Sequence, residues 1–445
     1  MRRTQLLLTG VVAFCVLVDA CGGGRRGKPD PAVRLGLVAA PTIATEDEAV
    51  HFTIVALDSA GQPASFAGTI SIAALGPISP SIVVMSNGIA EVNLHLALGG
   101  DELLTFTAPD LAPISLGFYV EPAIPALVDG PAARSAVLGT GSGWDAAGAW
   151  APSVVVTNGV FRLYYASSAA TANIGLAASP DGLAFTRSGS NPIVGPAVSA
   201  APCHADGAGS PHVFRDGSSW RMIYRGTNGT DVHLCMATST DGVAWTPAVG
   251  TGPFGAVLVA ATTTAQGFDT VSVTDATVLV STAGVWSMVY SGKGIGELTP
   301  ENPGPDPLLG IGLARSTDSG LSWTRVAGDR AFGSLAIASP LGPDTTEWDA
   351  YGFFHASVLP IGNAYRIWAT GYGTGFIDRI GRFGSLRLDD IGPELAEVVG
   401  VGAPGRFDEL GALDCAAVRG EDGVVRLFYA GRGSDGIRRI GVAAY

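Results

Sequence analysis

Two carboxylic acids and a histidine occupy one shared position in three copies of a repeated motif. They are Asp275, His355 and Asp414, and each directly precedes the small residue that opens an apolar run. Two carboxyl groups can hydrolyse a bond together when one donates a proton and the other activates water or attacks. A histidine between them can tune either acid or orient a ligand, although a histidine that is simply hydrogen-bonded in the channel explains the residue equally well.

The motif that carries these residues recurs five times. Its copies begin 59, 65, 80 and 59 residues apart, at Asp145, His204, Asp269, Asp349 and Asp408. Each copy continues with an aromatic-rich segment such as FRLYYAS and a third segment such as IGLAAS, and three copies then carry a turn such as Ser179-Pro180-Asp181-Gly182. The turn at Ser316–Gly320 resembles the Asp-box of propeller hairpins. Four short strands in each of five units predict a five-bladed β-propeller over residues 134–445.

The end of the chain indicates how this ring closes. The fifth unit stops at Tyr445, directly after its third strand. Residues 135–139 precede the first unit and resemble residues 191–195, which follow the third strand of that unit. We therefore expect residues 135–139 to complete the last blade.

The position that precedes the small residue varies, although its frame repeats. Its five occupants are Ala151, Ser210, Asp275, His355 and Asp414. Such variation is expected when one asymmetric site is built from equivalent positions of repeated blades. The first strands of propeller blades line the central channel, so these side chains are expected there. The acid that opens four units is expected to cap a turn or strand, so Asp145 is a secondary candidate for ligand binding.

The segments WDAAGAWAPSVVV, FRLYYAS, IGLAASPDG and NPIVGP resemble the five-bladed glycosidases of the arabinanase, levansucrase and invertase group. The resemblance covers about residues 134–445. It implies an Asp as base or nucleophile in the first blade, an Asp that modulates pKa values in the second, and a Glu as general acid in the third. The matching positions hold Ala151, Ser210 and Asp275, so only the third keeps a carboxylate.

Asp275 and Asp414, with His355 between them, are accordingly the expected catalytic residues. Trp150 and Phe354 directly precede the variable position and are candidates for stacking on a sugar, although packing is the commoner role of such aromatics. His212 is a further candidate for substrate binding. Carboxylates gathered round one channel could also hold a structural Ca²⁺, and no other cofactor is expected.

Three functions fit these residues. The first is a glycoside-hydrolase-like propeller, anchored at the cell surface, that acts on an extracellular oligo- or polysaccharide. The second is a non-catalytic glycan-binding or scaffolding lipoprotein whose propeller has lost its acids. A sialidase is a weaker third, because sialidase propellers have six blades and an arginine triad, whereas this sequence has five repeats. The sugar, the linkage, the stereochemical outcome and the oligomeric state stay open.

Residues 33–121 differ from the repeated region. Seven short runs such as VHFTIVAL and AEVNLHLAL alternate apolar and polar residues between turn clusters. This pattern predicts an antiparallel β-sandwich, and the stretch resembles the immunoglobulin-like modules of bacterial surface proteins. It offers no catalytic constellation, so a spacer or adhesive role is expected. The Pro-rich residues 122–133 are the expected linker, and the whole chain is expected to be all-β.

The first residues indicate export. Arg2-Arg3 is followed by an uncharged, mostly apolar run to Val18, and residues 1–20 are typical of a signal peptide. Val18-Asp19-Ala20-Cys21 resembles the bacterial lipobox, which implies lipidation of Cys21, a tether over residues 21–32 and an outer-membrane or surface location. An ordinary secretory signal is the alternative.

An exported compartment permits a disulfide, and Cys203 with Cys235 is the local candidate, but Cys415 leaves the pairing open.

Composition restricts the possible partners. The 445 residues include 62 Gly and 28 Pro, 47% are hydrophobic and 15% are charged, which favours many short strands over long helices. The net charge is −13, and the sequence has no basic stripe. Nucleic acid is therefore excluded as a partner, the membrane is approached only through the lipid, and a carbohydrate is the expected ligand.

Overall fold

A computed structural model describes residues 30–39, 43–262, 268–294, 308–326, 352–373, 377–389 and 394–445. Their regular structure is β-strand apart from four short 3-10 turns, which confirms the all-β prediction: Ala133–Ser135, Gly143–Asp145, Pro202–His204 and Pro253–Gly255. The signal peptide, Cys21 and Asp349 lie outside the described residues. Within the residues that are described, no helix is long and apolar enough to cross a bilayer.

The chain forms two compact units, and the first consists of Met1–Ala123 with Pro360–Ala364. Its strands pair in the order β5-β7-β3-β1-β9-β8-β4-β6, with β2 beside β9. Inward and outward residues alternate along β7, so one face of the strand is apolar and buries Ala90, Val92, Leu94 and Leu96. The strands are β1 (Arg34–Ala39), β2 (Ile43–Thr45), β3 (Ala49–Leu57), β4 (Gly68–Ala73), β5 (Ile78–Ser79), β6 (Ile82–Met85), β7 (Ile89–Leu96), β8 (Gly100–Ala108) and β9 (Leu111–Glu121).

The second unit, Ile124–Leu359 with Tyr365–Tyr445, is a five-bladed β-propeller, as the repeats predict. In the described residues it consists of five four-stranded antiparallel sheets. Blade one is β11 (Ala149–Thr157), β12 (Val160–Ser167), β13 (Ile174–Ser179) and β14 (Thr186–Arg187); blade two is β15 (Gly207–Asp216), β16 (Ser219–Asn228), β17 (Asp231–Ser239) and β18 (Thr246–Ala248); blade three is β19 (Ser272–Val280), β20 (Trp286–Gly294), β21 (Leu308–Ser316) and β22 (Thr324–Arg325); blade four is β23 (Phe353–Ile361), β24 (Ala364–Gly373), β25 (Ile377–Ser385) and β26 (Glu394–Val399).

The last blade closes the ring with a strand from the start of the unit. It consists of β27 (Ala412–Arg419), β28 (Val425–Arg432), β29 (Arg438–Ala444) and β10 (Ala126–Val128), which pairs with β29. The prediction that residues 135–139 form the closing strand is therefore wrong in position. Those residues contribute only a single bridge, Leu138 to Ile440, which matches the bridge of Val194 to Ile174 in blade one. The likeness between the two segments reflects this bridge, whereas β10 supplies the ladder.

The acid that opens a unit is buried inside its own blade. Asp145 Oδ2 accepts hydrogen bonds from Tyr165 (3.0 Å) and from Arg187 Nε (2.7 Å). Asp269 repeats the arrangement with Tyr290 (2.8 Å) and Arg325 (2.6 Å). These pairs tie the loop before the first strand to the second and fourth strands, so the acid is a structural element of the blade, as its recurrence predicts.

Blade two replaces this acid with His204 and adds a disulfide. His204 Nδ1 lies 2.7 Å from the hydroxyl of Tyr224, and Cys203 is bonded to Cys235 across 32 residues. Cys415 is buried and unpaired. The open question of cysteine pairing is thereby answered in favour of the local pair.

Loss of this disulfide is expected to lower stability. The Cys203→Ser/Cys235→Ser variant should lose about 2–4 kcal/mol of unfolding free energy, because the bond removes loop-closure entropy from the unfolded chain. Thermal unfolding followed by circular dichroism measures the loss. Dithiothreitol should lower the melting temperature of the wild type and leave that of the double variant unchanged. Equal sensitivity of both proteins to the reductant would contradict the disulfide.

Candidate active site at the propeller hub

The variable position of the repeat coincides with a β-bulge in each blade where the described ladder can be followed. The first-strand ladder slips at Trp150/Ser153, Gly209/His212, Val273/Ala276 and Leu413/Ala416. Four non-glycine residues at this position have positive φ angles: Ala151 (49°), Ser210 (43°), His355 (48°) and Asp414 (55°). Such backbone is strained for a residue with a Cβ, and bulges of this kind re-aim a side chain, which is a feature of functional sites.

The residues at this position in three blades bring ionisable side chains together. His355 Nδ1 lies 3.2 Å from Asp275 Oδ1 and 3.3 Å from Asp414 Oδ1. Because both distances share one nitrogen, the two carboxylate oxygens are at most about 6.5 Å apart, so they are no farther apart than paired glycosidase carboxyls can be. The side chains are at most 10% exposed. Blades three, four and five thus contribute to one cluster, which we call the hub cluster.

The hub cluster holds an imidazolium between two carboxylates. Burial opposes a charge on His355, but the negative charges of Asp275 and Asp414 outweigh burial and raise the pKa of His355 to about 10. Burial likewise opposes ionisation of Asp275, yet the charge and hydrogen bonding of His355 hold the pKa of that carboxyl far below its ordinary value. At neutral pH His355 is therefore positively charged and Asp275 negatively charged, and Asp414 lies against the same imidazolium nitrogen.

Two hub residues are held through their backbone amides by a hydroxyl from the preceding blade. The amide of His355 donates to Ser291 Oγ of blade three (2.7 Å), and the amide of Asp414 donates to Thr370 Oγ1 of blade four (2.9 Å). These bonds satisfy amides that the bulge has removed from the strand ladder. The position of each hub side chain consequently depends on its neighbouring blade.

The two carboxylates of the hub cluster differ in how they are used. Asp275 contacts His355 with Oδ1 and accepts the hydroxyl of Thr274 with Oδ2 (2.7 Å). Asp414 contacts His355 with Oδ1, whereas its buried Oδ2 has no hydrogen-bond partner among the described residues. A buried acceptor without a donor is costly and calls for a water molecule or a ligand. Asp414 is therefore the better placed of the two to act on a substrate.

Asp378 is a hub residue that sequence reasoning missed. It lies at the start of β25 and is 8% exposed, and its backbone is packed against Gly411, three residues before Asp414. Burial, with the charge of Asp414 next, raises the pKa of Asp378 to about 6 against the opposing charges of Arg432 and Arg438.

A sequence signal for Asp378 does exist. It stands two residues before the Ile that begins the repeated part of the third strand, and the five blades vary there: Ala172, Val232, Leu309, Asp378 and Arg438. In two other blades this residue forms a bridge to the opening Gly of the next blade, as Arg438 does with Gly148. This second variable position therefore lies where one blade meets the start of the next.

The remaining predicted residues lie in different places. His212 stacks on Phe214 and its Nε2 lies 3.3 Å from Val278 O, which joins blades two and three. Burial lowers the pKa of His212 to about 4, and the positive charge of His355 adds to this, so His212 is neutral. Phe354 is half-buried and does not line the cleft described below, and Asp145 lies inside its blade and not at the hub.

Trp150 lines a cleft of about 460 Å³ formed by blades five, one and two. Its indole donates to Ser167 O (3.0 Å), and the guanidiniums of Arg225 and Arg438 lie over the ring at 4.8 and 5.2 Å from its centre. Arg432 also lines this cleft. The expected stacking surface for a sugar is therefore occupied by arginines, and Trp150 acts as their platform.

Metal binding finds little support at these sites. Among the described residues one cluster has suitable spacing, Cys203, His233 and Cys235 within 4.8 Å, but a disulfide has no thiolate to offer a metal. At the hub, the positive charge of His355 occupies the space between the carboxylates that Ca²⁺ would need.

Comparison with known proteins identifies the fold. No family model matches the sequence, and no curated protein matches it. Among solved structures, a complex of BT0996 with RGII is 17% identical with a TM-score of 0.55, covering 71% of this chain and 92% of that one. A glycosyl hydrolase from Bacteroides ovatus is 16% identical with a TM-score of 0.53, covering 73% and 94%.

A third structure comes from work on the GH130 family of mannoside phosphorylases and its glycoside hydrolases that target β-1,2-mannosidic linkages in Candida mannan. It is 14% identical with a TM-score of 0.53, covering 73% of this chain and 94% of that one. The propeller therefore has the fold of glycoside hydrolases that act on glycans, at identities too low to transfer a substrate.

Proposed function

We propose that this chain hydrolyses a glycan at the propeller hub. The observation that carries the proposal is the pair of buried carboxyl groups Asp414 and Asp378, which lie in different surroundings at the hub. Asp414 keeps a buried carboxylate oxygen without a partner in the described chain. Asp378 has a pKa raised to about 6 by burial and by the charge of Asp414. Pairs of carboxyls with separated pKa values are how glycosidases divide the roles of acid and base.

The reaction requires two proton transfers. Protonated Asp378 donates its proton to the glycosidic oxygen as the bond to the anomeric carbon breaks. Asp414 Oδ2 accepts a proton from the water that attacks the anomeric carbon, which leaves a new hydroxyl on each product. His355 does not transfer a proton in this scheme, because its pKa of about 10 keeps it charged. Its positive charge lies 3.3 Å from Asp414 Oδ1, and Asp275 in turn stabilises the charge of His355.

A non-catalytic glycan-binding propeller is the second candidate. Two observations favour it: the positions that carry carboxylates in the resembling glycosidases hold Ala151 and Ser210, and the hub cluster is almost fully buried. This candidate needs the cleft beside Trp150 but no acid pair. The two functions are separated by a depolymerisation screen.

The screen uses the purified whole chain and a panel of plant, algal and bacterial polysaccharides. Release of reducing ends, measured against heat-denatured protein, supports hydrolysis. Retention of a polysaccharide on the protein without release of reducing ends would leave only the binding function.

The pH dependence of hydrolysis tests the assignment of Asp378. Because the acid must be protonated and its pKa is about 6, kcat/KM should fall as pH rises above about 6. The Asp378→Asn variant should be slower by about 10²–10⁴-fold and should lack this alkaline limb. If kcat/KM of the variant still falls above about pH 6, a group other than Asp378 donates the proton.

Three further features belong to this proposal. Residues 33–121 form an immunoglobulin-like module with a spacer or adhesive role, and residues 122–133 are the linker. The turns at Asp181, Asp241 and Asp318 are Asp-box turns. Cys21 carries the lipid, and the protein resides in the cell envelope. The immunoglobulin-like module rests on the alternating burial of the strands, and the lipid anchor rests on the lipobox-like sequence. Radiolabelled fatty acid incorporated into the wild type and not into Cys21→Ser tests the anchor.

A further inference from the structure

The cleft beside the hub concentrates positive charge in an acidic protein. The chain carries a net charge of −13, yet Arg225, Arg432 and Arg438 all line this one cleft. Arg225 and Arg438 share the indole of Trp150, at 4.8 and 5.2 Å from the ring centre. Two guanidiniums over one ring repel each other, and the negative ring face offsets only part of that repulsion.

Among the residues that the structure describes, no carboxylate forms a direct ion pair with Arg225 or Arg438. Within the described ranges, neither Arg225 nor Arg438 has an Asp or Glu oxygen within 4.0 Å, whereas Arg187 and Arg325 are each paired at 2.7 Å or less. The acid that lines the cleft, Asp206, accepts the amide of Gly229 (2.6 Å). In the described part of the chain, Arg225 and Arg438 therefore bring more hydrogen-bond donors to the cleft than paired carboxylate oxygens.

The remaining lining is suited to a sugar. The hydroxyls of Ser168 and Thr227 and the exposed backbone of small residues line the same cleft, whose volume of about 460 Å³ is in the range of small-ligand sites. Hydroxyl groups recognise sugar hydroxyls, and a planar guanidinium recognises a planar carboxylate with two parallel hydrogen bonds.

From this arrangement we propose that the ligand of the cleft is an anionic glycan, in which a uronic acid carboxylate is bound by Arg225 and Arg438. The inference names the substrate class of the proposed hydrolase and rests on that function only for the assumption that the ligand is a sugar. Arg438 lies at the second variable position of blade five, as Asp378 does in blade four, so the bound carboxylate lies beside the hub.

Binding is tested with the whole chain, by calorimetry with oligogalacturonate, oligoglucuronate and oligomannuronate. The methyl esters of the same oligosaccharides serve as uncharged probes. We expect at least one oligouronate to bind about tenfold or more tightly than its ester, because a charge-assisted pair is lost in the ester. Raising the salt concentration should weaken the binding of the oligouronate and not the binding of its ester.

Arginine variants locate the site. Arg225→Gln and Arg438→Gln should each lower the affinity for the oligouronate about tenfold to a hundredfold and leave the affinity for the ester unchanged. Arg215→Gln is the matched control, because Arg215 also lies 4.8 Å from a tryptophan ring, that of Trp220, but outside the cleft. It should leave both probes unchanged, and thermal melting shows whether each variant is folded.

The outcomes separate this inference from the hydrolytic function. Equal affinity for acid and ester, or equal loss of both in the arginine variants, overturns the anionic glycan. Inorganic phosphate that binds through the same arginines while no oligouronate does so also overturns it. Oligouronate binding that depends on Arg225 and Arg438 without turnover of any glycan supports the inference and contradicts hydrolysis.

Discussion

Replacement of Asp414 by Asn is expected to lower kcat/KM for glycan hydrolysis by about 10³-fold and to leave glycan affinity within a few-fold of the wild type. The amide keeps the shape of the carboxylate but cannot accept the proton of the attacking water. The amide can still contact His355, so the hub should remain folded. Single-turnover kinetics with the glycan identified in the screen, together with calorimetry, measure the two effects separately.

Asp275→Asn is the matched comparison. Both oxygens of Asp275 have contacts within the protein, with His355 and Thr274, so its role is to position and charge His355. Its loss should reduce kcat/KM by only about tenfold, and it should shift the pH profile by lowering the pKa of His355. Equal losses in Asp275→Asn and Asp414→Asn would mean that Asp414 is not the base.

Replacement of His355 by Gln should be the most destabilising change at the hub. It removes the positive group between two buried carboxylates, and breaking a buried ion pair in this way costs about 3–5 kcal/mol. The effect has a defined pH dependence. The raised pKa of His355 means that its contribution is complete below its unfolded pKa of about 6.5 and is lost as pH rises towards about 10.

Asp275 determines the low-pH end of the range in which the hub ion pair stabilises the protein. Its lowered pKa means that its contribution is present above the unfolded value of about 3.9 and is lost as pH falls through the folded value. The stability difference between wild type and His355→Gln should therefore be largest between about pH 4 and 6.5 and should shrink towards pH 10. Chemical denaturation across this range measures it.

His212→Gln provides the control histidine. His212 is neutral because burial lowers its pKa to about 4, and it makes a single hydrogen-bond contact across blades two and three. Its replacement should cost about 1 kcal/mol, with no change between pH 6.5 and 10. A His355→Gln deficit that is equally independent of pH would show that His355 is uncharged in the folded protein.

The propeller could be predicted because its five blades correspond to five copies of one sequence motif. All five copies carry a small residue at the start of the apolar run, four carry a Tyr at the same place in the second strand, and four carry a Gly three residues after the opening position, since the blades pack in the same way. The hub positions of Asp275, His355 and Asp414 follow from the same frame, because side chains at one position of a symmetric ring face one axis. Their proximity is therefore a consequence of symmetry.

Other features depend on contacts that the repeat does not encode. Asp378 lies at the variable start of its strand, and the approach of blade four to Gly411 places it at the hub. Trp150 was predicted to stack on a sugar, but Arg225 and Arg438 come from the second and last blades and meet over it. The closing strand Ala126–Val128 lies before the first repeat, where three residues carry too little pattern to be recognised.

The division of roles between Asp378 and Asp414 is tested most directly with a series of aryl glycosides whose leaving groups span a wide range of pKa. The sugar is the one that the screen identifies, and the substrates are given to wild type and Asp378→Asn. If Asp378 is the proton donor, the variant should be slow with poor leaving groups and should approach wild-type rates with the most acidic phenol, because that phenolate needs no proton. Parallel losses across the whole series would contradict an acid role for Asp378 and, with it, the proposed acid and base pair.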